Sequence, residues 1–205
     1  MDTFLTWASA WHHNVFRKHL ILTLGLLVAC ALAAPHIFRF VEAREGYVLP
    51  DPVLVALPAK QVSVYIFVIL YIFIGMAIII LVQSPKAFLT ALQAYLLITL
   101  FRFVTLLLVP LEAPPGLLPL QDPLVDKLFY QQPVTKDLFF SGHTGILALF
   151  FFLLGHNRQW NWLFGLASLA VGILLLVQHA HYTLDVLAAP AFAWLAVKVS
   201  PKLKV

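Results

Sequence analysis

Six apolar windows separated by short polar segments run along the chain, at about 20–41, 62–82, 87–109, 138–155, 160–178 and 181–199. Each approaches the roughly 20 residues that a helix rising 1.5 Å per residue needs to cross a hydrocarbon core of about 30 Å. The pattern predicts an all-α integral membrane protein. It reads as one domain over residues 1–205 with six transmembrane helices, and it leaves no room for a soluble domain. The first window has too long an apolar core for a cleaved signal peptide, and no small-residue cleavage site precedes polar sequence, so it is expected to remain as a helix. Neither an internal repeat nor a low-complexity tract is visible.

The connections alternate in kind. Those at 42–61 and 110–136 run to about twenty residues or more, whereas those at 83–86 and 156–159 are as short as a helical hairpin allows. Long connections on one side usually build a site. The stretch Pro110-Leu-Glu-Ala-Pro-Pro-Gly-Leu-Leu-Pro119 cannot continue a helix, because each proline lacks a donor and clashes with the preceding turn, so an irregular or re-entrant cap is expected. Trp7, Trp11, Trp160 and Trp162 fall at the opposite boundaries, as interface anchors would.

Composition agrees with the windows. The chain is 62% hydrophobic and 11% charged, with a mean hydropathy of +0.94, against about half apolar and a quarter charged for soluble domains. A net charge of +4 and a pI near 9.3 do not point to nucleic acid, since the basic residues are scattered at span ends instead of striped along one face. They orient the chain instead. On one side lie Arg17, Lys18, Lys86, Arg158, Lys198, Lys202 and Lys204; on the other lie Arg39, Arg44, Lys60, Lys127 and Lys136. The excess marks the cytoplasmic side, giving both termini inside. Glu42, Glu45, Asp51, Glu112, Asp122, Asp126 and Asp137 lie outside. Cys30 is the only cysteine and sits mid-window, which excludes an intramolecular disulfide or a cysteine metal cluster and fits a small apolar filler.

An ionisable side chain within a span is costly unless paired or wet, so each is a functional candidate. Arg102, His143, His181 and Asp185 stand out. By the rise per residue, Arg102 lies about 10 Å below the outer end of the third window, His143 about 8 Å into the fourth, and Asp185 about 6 Å below His181 in the sixth. All four are therefore expected in one layer near the outer, extracytoplasmic surface. His181 and Asp185 are spaced i,i+4 on one helix face, where the carboxylate can fix the imidazole tautomer and leave the second nitrogen as nucleophile or base. Ser141-Gly142-His143-Thr144 offers free N–H groups at a helix start, a glycine that lets an anion approach the backbone, and a hydroxyl. Arg102 supplies the planar fork that holds phosphate oxygens. Read singly, the Ser-Gly-His run could be capping, Arg102 could snorkel to headgroups, and the His/Asp pair could be a proton relay of a transporter. His12, His13, His19, His36 and His156 read as headgroup or boundary residues. His179, six residues from Asp185, is the competitor to His181.

These residues resemble the type 2 phosphatidic acid phosphatase superfamily, and within it the sphingomyelin synthase branch. Asp137 through Thr144 is similar to that branch's Asp-x3-Ser-Gly-His-Thr motif, His181 through Asp185 to its His-Tyr-(Ser/Thr)-x-Asp, and Arg102-Phe103-Val104-Thr105 after Tyr95, more loosely, to its Arg-x-(Ile/Val)-Thr. The wider phosphatase family carries a Lys where Tyr95 stands, a Pro at Phe103, and Ser-Arg at Leu174-Leu175. The animal synthases carry Cys-Gly at Thr135-Lys136, an arginine pair upstream of the tyrosine, and an extra N-terminal domain.

The resemblance implies attack by His181 on phosphorus with Asp185 holding its ring, a phosphohistidine intermediate, and proton transfer by His143. Arg102, Ser141, Gly142 and Lys136 would bind phosphate, with Asp137, Tyr95, Thr144 and Tyr182 in support. It implies no metal and no cofactor, and activity that survives chelation. The expected function is transfer of a phospho-head-group from a phospholipid donor to diacylglycerol or a ceramide-like acceptor. The alternatives are a lipid phosphate phosphatase and a proton-coupled transporter.

Overall fold

In a computed structural model, residues 6–122, 134–155 and 158–200 are described, with Arg158 and Gln159 known by backbone alone. The charges at Asp126, Lys127, Lys202 and Lys204, the boundary residue His156, and part of the 110–136 connection lie outside the described residues. Eight helices occur among those described: α1 Trp7–His12, α2 Asn14–Ala43, α3 Pro52–Ala56, α4 Ser63–Leu81, α5 Pro85–Leu108, α6 Gly142–Leu153, α7 Arg158–Val177 and α8 Thr183–Val199. No strand forms among them; Tyr47 and Leu111 make one isolated parallel bridge.

Each apolar window holds one helix, but they differ in reach. α2, α4, α5 and residues 160–177 of α7 are long and apolar enough to cross a membrane. α6 has 12 residues and α8 has 17, or about 18 and 26 Å at 1.5 Å each. The windows at 138–155 and 181–199 overstate these two helices for one physical reason. Their leading residues are apolar because the protein buries them, with Leu138, Phe140 and Tyr182 at most 2% exposed, while the backbone there is irregular. The two motifs occupy those irregular starts.

Local signals set the helix ends. Ser84 caps α5 through its hydroxyl, and Pro85 stands at the first helical position, where its missing N–H costs nothing. At the far end of α5 the guanidinium of Arg44 takes three otherwise orphan carbonyls, those of Leu106, Leu107 at 2.9 Å and Val109 at 3.1 Å. α6 starts at Ser141, whose hydroxyl accepts from the Thr144 N–H at 3.3 Å. α8 has no cap from its own N-terminal neighbour. Asp51 supplies it from a distant loop, accepting from the Thr183 N–H at 2.7 Å and its hydroxyl at 3.0 Å.

α6 lies at the centre, packed mainly on α7 and α8 and also on α4 and α5, while α2 packs on α5. Ala148 of α6 and Ala189, Ala193 and Ala196 of α8 are all buried and let these helices approach closely around Ile98, Phe140 and Leu149. Ile66, Phe67 and Leu70 of α4 meet Leu147 of α6 and Ala167, Val171 and Leu175 of α7. The long connections gather at one end of this bundle. There Leu118 N–H donates to Gln178 O, Lys60 N–H to Val177 O, and the buried Gln178 amide donates to Ser63 Oγ at 2.7 Å. At the other end the Trp7 indole donates to Val82 O at 2.7 Å, which fixes α1 to the short connection.

Candidate active site

Arg102 projects from the last two turns of α5 toward the start of α6. Its guanidinium pairs with the Asp137 carboxylate and donates to the Phe140 carbonyl. A glycine is needed opposite: a Cβ on Gly142 would lie 2.9 Å from Arg102 Cζ, closer than real Cβ contacts allow. The glycine of the Ser-Gly-His run therefore admits the guanidinium as well as exposing backbone N–H groups.

The second half of the site comes from the start of α8. His181 Nδ1 lies 3.3 Å from Asp185 Oδ2, a placement that in the neutral imidazole selects the tautomer with its proton on Nδ1 and Nε2 as the free nitrogen. The same Oδ2 accepts the Tyr182 N–H at 3.1 Å, which steadies it. Both residues are buried, Asp185 completely. A backbone bond joins the halves, from Ser141 N–H to Asp185 O at 3.1 Å. It brings the rings of His143 and His181 to a centroid separation of 6.4 Å. The edge of His143 also meets Phe67 at 5.7 Å, and its Nδ1, like Oδ1 of Asp185 and of Asp137, is buried with no hydrogen-bond partner.

Two adjoining spaces meet at His143 and Asp137. One of about 40 Å³ touches both histidines, Thr135 and Ala180. The other, of about 580 Å³, descends between α2, α4 and α5 past Phe67, Ile98, Phe38 and Cys30, with Arg102, Asp137, Asp122 and Tyr71 toward its polar end. Tyr71 donates to Asp122 Oδ1 at 2.6 Å. Such a cavity accepts a molecule with a charged head and a long apolar body.

The remaining sequence candidates divide. Tyr95 lines the large cavity on the same side of α5 as Arg102. Ser141 is fully buried as a helix cap. Lys136 is not brought to the cavity; its ammonium donates to Glu112 at 2.7 Å and Arg44 O at 2.8 Å. Tyr182 donates its hydroxyl to Glu112 O at 3.0 Å, away from the histidines, and Thr144 faces the other side of α6. His179 is held by its two nitrogens, each 3.0 Å from a carbonyl, those of Pro115 and Leu57, under Gly116 at φ +76°. That leaves His181 as the histidine placed beside Asp185.

Several supporting residues are not legible in the sequence. Glu42 accepts from the Thr135 N–H and hydroxyl and the Lys136 N–H, holding the segment that carries Asp137. Burial pushes the Asp51 carboxyl up, but hydrogen bonds from Thr183, Leu54 and Val53 outweigh it and hold it below the usual range. The Lys136 ammonium beside Glu112 holds that carboxyl below its usual value too. Their partners stand up to 132 residues away, and only the net acidity of the long connections hints at them.

Together these features define an all-helical membrane protein in which two paired histidines line a small space that adjoins an apolar cavity. Residues 136–201 match the family model described as PAP2 superfamily C-terminal. That superfamily implies phosphatase- or phosphotransferase-type activity on phosphoesters, and the matched segment contains both histidines and Asp185. Comparison with curated proteins gave no match, and comparison with solved structures gave none.

Proposed function

We propose that this chain is a lipid phosphotransferase, similar in action to sphingomyelin synthases, with six transmembrane helices and its site facing the extracytoplasmic leaflet. The observation that carries the reading is the placement of Arg102 and His143 on the apolar cavity, with His181, paired to Asp185, across the small space that shares His143 and Asp137 with it.

In the proposed reaction Nε2 of His181 attacks phosphorus, and the bond from phosphorus to the donor lipid's oxygen breaks. His143 gives that oxygen a proton as it leaves. Asp185 stabilises the positive charge on the His181 ring. His143, now neutral, then takes the proton from an acceptor lipid's hydroxyl, whose oxygen forms the new bond to phosphorus and frees His181. Arg102 and the N–H groups at the start of α6 face the phosphoryl oxygens throughout.

The charge balance favours transfer over the phosphatase alternative. Among the described residues lining the cavity, Arg102 is the one fixed cation, and Asp137 already neutralises much of it. That field suits the single negative charge of a phosphodiester better than the double charge of a phosphomonoester. The test incubates purified protein in micelles with a labelled phosphodiester lipid, with and without diacylglycerol or ceramide. The expected product is a new phospholipid that appears only with acceptor. His143→Ala should lower turnover by roughly 10²–10⁴, the usual worth of a general acid–base. His181→Ala should abolish it. Equal turnover by all three proteins would sink the proposal, and free phosphate from a monoester substrate would select the phosphatase.

A further inference from the structure

A second cavity, of about 380 Å³, lies on the other side of α6. At 100° per residue, Gly142, His143 and Ile146, which line the first cavity, share one face of α6; Thr144, Ala148, Phe151 and Phe152, which line the second, share the opposite face. Its other walls are Leu169, Gly172, Ile173 and Leu176 of α7 and Val186, Leu187 and Pro190 of α8. Two features make it more than a seam between helices. Gly172 leaves a notch toward α8, where a Cβ would meet Val186 at 2.7 Å and the Thr144 hydroxyl at 3.7 Å. Thr144 is 3% exposed, and its hydroxyl oxygen, which faces this notch, is buried without any hydrogen-bond partner. A hydroxyl enclosed in that way is destabilising unless something bonds it. The one other side-chain hydroxyl in the wall, that of Ser168, is already spent on Thr144 O at 3.1 Å. Pro190, also in the wall, has no N–H to give the carbonyl of Val186.

We infer that this cavity is a second lipid site, which takes a single alkyl or acyl chain whose hydroxyl or ester head bonds Thr144. Its volume stands at the low end of the roughly 300–1,000 Å³ of small-molecule sites, which suits one chain and not two. The chain lies along α7 and α8, and its head reaches the residue next to His143. Occupancy is thus placed to stabilise the first turn of α6. The site itself does not depend on the catalytic reading.

The experiment uses the full chain in phosphatidylcholine nanodiscs with a tritiated fatty alcohol that carries a mid-chain diazirine. Irradiation should give saturable labelling of peptides containing Leu169, Ile173 or Leu187, competed by unlabelled fatty alcohol. Leu169→Trp and Ile173→Trp, at positions 61% and 52% exposed where bulk is tolerated, should each reduce it several-fold with thermal melts unchanged. Thr144→Val should shift half-saturation several-fold upward at the same labelled positions. Labelling that rises linearly with probe, resists competition or survives both tryptophans would overturn the site as ordinary contact with surrounding lipid. No labelling, or cross-linked dimers in its place, would overturn it as well.

Discussion

Gly142 carries more of the site's geometry than its size suggests. The Arg102 guanidinium occupies the space that any side chain at 142 would take, and it is held there by Asp137 and the Phe140 carbonyl. Gly142→Ala should therefore push the guanidinium aside and weaken its bonds to phosphate. Losing a hydrogen bond to a charged group is worth about 1.5–3 kcal/mol, so kcat/KM should fall roughly 10- to 100-fold. Stability should move the other way or not at all, because alanine favours the first turn of α6 by up to about 1 kcal/mol. Turnover against lipid phosphodiester and a melt in the same detergent separate the two. An unchanged kcat/KM would mean that Arg102 does not touch the reacting phosphate. The charge at 102, the paired histidines and the aspartate were legible in sequence because membrane windows make any ionisable residue conspicuous. The turning away of Lys136 was not, since it depends on Glu112 and on Arg44 O from two separate loops.

At the scale of elements, α8 is the helix with the most at stake in a remote contact. Its N-terminus is capped by Asp51 on α3's leading edge, while its own Asp185 is left to serve the Tyr182 N–H and His181. Asp51→Ala should destabilise the protein by about 1 kcal/mol, the usual worth of an N-cap. The pH dependence has a definite sign. The carboxyl of Asp51 is held below 3.8 in the fold, so its contribution is complete above that value and is lost as pH falls through the folded pKa. The melting difference between wild type and Asp51→Ala should accordingly be largest at neutral pH and narrow in acid. A difference that widened in acid would show that the cap is not the ionised carboxylate. Helices α2, α4, α5 and α7 were readable from hydropathy alone, because lipid demands continuous apolar length. The starts of α6 and α8 were not, because residues 138–141 and 181–182 are apolar for burial in protein and irregular in backbone. Hydropathy does not distinguish these two reasons for being greasy.

For the whole molecule, the remaining question is which compartment the site faces. The long connections, the Asp51 cap, the Gln178 cluster and both histidines share one end of the bundle, while the 82–84 turn and Trp7 share the other. The proposed topology, drawn from the excess of Lys and Arg, has the second end in the cytoplasm. Single cysteines decide it in a Cys30→Ala background, where no native thiol competes. Val55, 88% exposed on α3 within the 42–61 connection, and the exposed Gln83 at the far end are the two reporters. Val55→Cys should react with a membrane-impermeant maleimide in intact cells, and Gln83→Cys only after permeabilisation. The reverse pattern would invert the topology without disturbing the site. It would also move the substrate pool, because a cavity opening sideways between helices samples the lipids of its own leaflet. Extracytoplasmic labelling at position 55 therefore limits both donor and acceptor to lipids that reach the outer leaflet.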